Sequence, residues 1–126
     1  MKKILGTIFL SLLLVSPVNA EWTFVTKLSD NSSKIYIDLD TFKRDGDQIY
    51  IWKLSDLTVP YKSTKSSAMY EQMDCNTISA VTLQFVFYEG QMGTGKPKSF
   101  KRDTMKWQTY PPGSHMHLLI KALCDA

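Results

Sequence analysis

Residues 35–57, IYIDLDTFKRDGDQIYIWKLSDL, decide the fold class. Ile35, Ile37 and Leu39 alternate with Tyr36 and Asp38, a period of two that sends successive side chains to opposite faces of a strand. Lys43–Asp47 then supplies turn chemistry. Its Asp45-Gly46 pair is a strong hairpin signal, because glycine accepts the left-handed backbone that tight hairpin turns require. Ile49–Leu57 resumes as a strand with Trp52 and Leu54 on one face. Working upstream, Trp22, Phe24 and Leu28 share a face of a first strand, and Ser29–Ser33 is a turn. Three antiparallel strands follow from this part of the chain.

Downstream, Thr58–Ser67 is polar and contains Pro60, which predicts an exposed loop. Met69–Cys75 reads as a short strand and Ile78–Tyr88 as the longest one, with Leu83, Phe85 and Phe87 on one face. Lys106–Tyr110 is a further short strand. Pro111-Pro112-Gly113 breaks the chain, after which Ser114 can cap a closing helix that runs through Cys124 and carries Leu119, Ile120 and Leu123 as its apolar stripe. The fold class is therefore α+β: a single antiparallel β-sheet with a C-terminal α-helix.

The first 20 residues set the compartment. Lys2 and Lys3 precede an apolar run of 12 residues, Ile4–Val15, and a small-residue region ending at Ala20. That pattern predicts a secretory signal peptide over residues 1–20, cleaved between Ala20 and Glu21. The run is too short for stable membrane insertion, which takes roughly 20 apolar residues. A bacterial lipoprotein would carry cysteine where Glu21 stands, so the sequence supplies no lipid anchor. Residues 21–126 suffice for one domain. Two of the 15 basic residues lie in the leader, so the remainder nearly balances the 12 acidic ones. With that balance, export and no base-reading motif, nucleic acid is not an expected partner.

Two cysteines, Cys75 and Cys124, allow one pairing, and an oxidising compartment favours a disulfide between them. A metal site built from Cys124, His115 and His117 is the competing arrangement. On a helix, residues two apart point in nearly opposite directions, so the two histidines would converge only on a strand. No metal and no cofactor are expected.

The stretch FVFYEGQMGTGKP, residues 85–97, places Gly90 and Gly95-Lys96 at phosphate-loop spacing. Such a loop needs a Ser or Thr after the lysine to hold magnesium, and a helix to follow. Pro97 occupies the hydroxyl position, and the residues beyond it lack helical periodicity. The stretch reads as a turn.

Taken in order, several features resemble the surface-adhesin protein E-like family of small exported bacterial proteins. They are Trp22, Tyr36-Ile37-Asp38, Arg44-Asp45-Gly46, Trp52 with Asp56, Cys75, Phe87-Tyr88 with Gly90, Met92–Gly95, Trp107, Pro111–Ser114 and Cys124. The resemblance spans nearly all of residues 21–126. It implies one antiparallel sheet with a C-terminal helix tied to it by the disulfide, and Met92–Gly95 as a turn between strands. It also implies an exported, non-enzymatic binding module, adhesin-like, contacting host matrix or cell-envelope components.

The residues themselves offer two kinds of contact. Tyr36, Tyr50 and Tyr88 are candidate interface residues, since tyrosine joins a large apolar ring to a polar tip. Lys96, Lys98, Lys101 and Arg102 place four cations within seven residues, a candidate patch for polyanions such as sulfated glycans or acidic lipid headgroups. The expected partner is a protein or glycan, and an unpaired sheet edge would allow a homodimer. A periplasmic inhibitor of a lytic enzyme is the alternative. A small hydrolase is less favoured, because only two histidines exist and Asp38 and Asp40 fit a strand end. The expected location is the periplasm or the exterior.

Overall fold

The computed structural model describes residues 21–28, 30–98 and 105–126, together with the backbone of Ser99 and Phe100. The expected leader and its cleavage point at Ala20 lie outside these residues, apart from Glu21. The strands are β1 (Thr23–Lys27), β2 (Ser33–Asp45), β3 (Gln48–Tyr61), β4 (Thr64–Asp74), β5 (Ser79–Tyr88), β6 (Pro97–Phe100) and β7 (Gln108–Thr109). One helix, α1 (His115–Cys124), follows them. All pairings are antiparallel, in the order β1-β2-β3-β4-β5-β6, with β7 beside β5. The α+β class and the single sheet read from the sequence are both present.

The first hairpin is the one that the sequence signals. Asp45 pairs with Gln48, and Gly46 sits at φ 61° in the two-residue turn between them. Thr58–Ser67, by contrast, is not a loop. β3 continues to Tyr61 and β4 begins at Thr64, so only Lys62 and Ser63 turn the chain. Pro60 is tolerated because the β3–β4 ladder is interrupted between Asp56 and Tyr61, where no backbone donor is required. Met69–Asp74 is thus the end of an 11-residue strand with Cys75 just beyond it, and among the described residues the longest strand is β3 with 14 residues rather than β5 with 10. Lys106–Tyr110 contributes only Gln108 and Thr109 as strand.

Irregularities shift which residues face inward. Across β4 and β5, Tyr70 pairs with Gln84 but Glu71 pairs with Thr82, which leaves Leu83 as an extra residue. A second shift lies between Asp38 and Lys43, and within it Leu39 is 52% exposed while Ile37, before it, is buried.

Both faces of the sheet are covered, but in different places. On one, Ile37, Ile49, Ile51, Met73 and Ala80 pack under Leu119, Ile120 and Leu123 of α1. On the other, Leu54, Ala68 and Val86 pack with Trp22, Tyr36, Trp52, Tyr88 and Met92. Ser114 caps α1 by accepting the His117 N–H at 3.3 Å. At its other end α1 is held by the Cys75–Cys124 disulfide, and the Arg44 guanidinium donates to the Cys124 carbonyl at 2.7 Å. That cation also suits the negative end of the helix dipole. With Cys124 in the disulfide, the Cys124–His115–His117 metal arrangement is ruled out.

Beside the helix-covered cluster lies a buried ion pair. Lys53 Nζ is 2.9 Å from Glu71 Oε1, with the two side chains 11% and 3% exposed. Thr82 donates to the second Glu71 oxygen at 2.6 Å, so that carboxylate is bonded at both oxygens.

Candidate binding groove at the open end of the sheet

The helix covers only one end of its face. At the other end Ser67 on β4, Phe87 on β5 and Lys98 on β6 stand opposite one another in register. Leu57 on β3 lies on the same face, and together they floor a groove of about 700 Å³. One wall is the β3–β4 hairpin tip, Tyr61–Thr64. The other is Glu89 and Lys96 from the β5–β6 connection with Pro97 at the start of β6.

The tip is built under local strain. Lys62 has φ 56°, a left-handed conformation that costs an ordinary residue on the order of 1–2 kcal/mol. Its Nζ lies 5.5 Å from the Tyr61 ring centroid, a cation–π distance. Tyr61 itself is 59% exposed. The pair therefore presents a ring and a cation together at the groove mouth.

The glycine-rich connection is fixed from behind. The Met92 N–H donates to Asp56 at 2.7 Å and the Gly93 N–H to Ser66 Oγ at 2.9 Å, while Ser66 donates to the Gly90 carbonyl at 2.6 Å. The Gly90 N–H donates to the Thr94 carbonyl at 2.8 Å. These donors are thus committed to protein acceptors, which is why the stretch cannot cradle a phosphate. A Cβ on Gly93, which sits at φ 70°, would meet Leu54, Trp22 and Tyr88, and one on Gly90 would meet the Thr94 carbonyl oxygen at 2.7 Å.

Of the residues that the sequence singles out, Lys96 and Lys98 are exposed and line the groove. Lys101 and Arg102 lie outside the described residues. Tyr88 reaches the groove but is half-buried in the second cluster, and burial pushes its hydroxyl pKa above the ordinary value. Tyr36 is elsewhere, half-buried against Phe24 with ring centroids 5.5 Å apart. Tyr50 stacks on Tyr70 at 6.3 Å, next to a Trp52–Tyr70 contact at 5.2 Å. All three stand on the sheet face opposite α1, Tyr36 and Tyr88 in the second cluster and Tyr50 linked to it through Tyr70 and Trp52. Sequence reasoning missed Tyr61, Lys62 and Leu57 as groove residues.

The match to a family model is decisive for ancestry: the surface-adhesin protein E model covers residues 22–125. The chain belongs to that family. Solved structures of protein E from Haemophilus influenzae share its fold. The protein from a non-typeable strain aligns at TM-score 0.67 and 14% identity, over 82% of this chain and 75% of that one. A selenomethionine form aligns at TM-score 0.68 and 13% identity, over 86% and 91%. A second crystal form gives 0.65 and 15%, over 86% and 92%. No curated protein matches in sequence. Among the described residues no helix is long and apolar enough to cross a membrane, and no His, Cys, Asp or Glu group could hold a metal ion.

Proposed function

We propose that the chain is an exported, non-enzymatic binding module, adhesin-like, that engages a host-matrix or cell-envelope component through the groove at the open end of its sheet. The carrying observation is the groove itself, where Lys62 and Lys96 on the walls and Lys98 on the floor stand around Leu57 and Phe87. Family membership supports the adhesin-like reading. The cations favour a partner that bears negative charge, and Lys101 and Arg102 extend the basic segment in sequence.

The test is a pull-down of matrix and envelope proteins with the purified domain, using wild type and a Lys62→Glu/Lys96→Glu/Lys98→Glu variant. A matrix or envelope component should be retained by the wild type at low salt and lost in the variant. Retention of a soluble lytic enzyme would instead favour an inhibitor, and identical capture by both proteins would remove the groove from the reading.

A further inference from the structure

Resting on that reading, we infer that the groove recognises an extended acidic peptide segment in which an aliphatic or aromatic residue is flanked by carboxylates at alternate positions. The first ground is the chemistry of the floor. Leu57 and Phe87 form an apolar centre, and Phe87 stacks on Phe85 with ring centroids 5.9 Å apart. Such a surface gains by covering an alkyl or aryl group, and a sulfated ring, with charge around its edge, offers less apolar area than such a side chain.

The second ground is spacing. Lys98 is the direct cross-strand neighbour of Phe87, about one strand separation of roughly 5 Å away. Lys62 rises from the opposite wall, beyond the floor. Cations on the floor and on the hairpin-tip wall, with Leu57 and Phe87 in the same groove, suit an extended peptide whose successive same-face side chains can carry charge and an apolar group in turn. Acid, apolar and acid at positions one, three and five would then meet lysine, floor and lysine.

The third ground is Glu89, which stands on the wall beside Lys96. A uniform polyanion filling the groove would press like charge against this carboxylate. A peptide can set an N–H or an uncharged residue there. Charge, floor and Glu89 together favour a polypeptide over a polysaccharide.

Fluorescence anisotropy with a labelled synthetic peptide tests this, the peptide carrying Glu, Phe and Glu at alternate positions between serines. It should bind, and binding should weaken about tenfold or more when Gln replaces both Glu or Ser replaces Phe, since several modest contacts are lost together. A Lys62→Glu/Lys98→Glu variant should lose the parent peptide. Both lysines are exposed, so circular dichroism and the thermal midpoint should be unchanged. Equal binding of the Phe-free peptide, or tighter binding of a heparin fragment, would overturn the inference in favour of a charge-only surface. If no peptide binds while the groove-dependent pull-down succeeds, the peptide assignment fails and the binding-module reading stands.

Discussion

Ile51 and Leu57 lie on the same face of the same strand, yet one is fully buried and the other lines an open groove. The face they share reads Ile49, Ile51, Lys53, Ser55, Leu57 along β3, passing from apolar residues through a charged pair and a hydroxyl to the groove floor. What separates the two ends is α1. Where Leu119, Ile120 and Leu123 lie across the sheet, apolar side chains lose their contact with water; beyond the helix, Leu57 is only half-buried and lines the groove. The buried Lys53–Glu71 pair stands between the two ends. Burial and exposure thus divide along one surface, according to how far a ten-residue helix reaches.

The largest expected effect comes from releasing that helix. Replacing Cys75 and Cys124 by alanine opens a loop of 49 residues' separation and should cost about 4 kcal/mol by the chain-entropy estimate. Urea unfolding of the variant measures this. Binding at the groove should persist in the fraction that remains folded. A loss below about 1 kcal/mol would mean that packing and the Arg44 contact alone hold α1 in place.

A paired substitution addresses the contrast directly. Ile51→Ala should destabilise by about 3 kcal/mol, because a buried site relaxes only partly around the cavity. Leu57→Ala should cost less than about 1 kcal/mol, as expected for a side chain that is only half-buried, and should weaken groove binding instead. Equal losses of stability in the two variants would erase the distinction between the closed and open ends.

The smallest effect concerns a charge held near the closed end. Asp38 is 6% exposed, and burial pushes its carboxyl above the ordinary value, partly offset by the Asp40 N–H that it accepts at 3.1 Å and reinforced by the charges of Asp40 and Glu21. A raised carboxyl favours the protonated form in the folded state. Its stabilisation is complete below the ordinary value near 4 and is lost as pH rises through the folded value. Asp38→Asn keeps an oxygen for the Asp40 N–H, so it should raise the thermal midpoint slightly at pH 7. The gain should shrink as pH falls towards 4. A midpoint difference independent of pH would show that the carboxylate is not the cause.

The local rules were legible in the residues themselves. Alternation identified β2 and the first part of β3, Asp45-Gly46 placed their turn, Ser114 started the helix, and two cysteines in an exported chain implied their bond. Each of these depends on neighbours in sequence or on simple pairing, so composition and spacing suffice. The hairpin through Pro60 was not legible, because proline and clustered hydroxyls usually mark loops. Only a broken ladder at that point makes a strand compatible with them. Nor could Lys53 be recognised as buried, since its partner Glu71 lies on another strand and enters only through register.

The groove belongs to the same category. Lys96 and Lys98 are close in sequence, and a basic segment could be read from them alone. Their meeting with Tyr61, Lys62 and Leu57 depends on the length of β3 and β4, and on the helix stopping short of that end. Sequence by itself determined the period, the turns, the cap and the cross-link, because these are set by local backbone chemistry. Tertiary structure decided which part of each face is covered, because burial depends on what another segment brings against it.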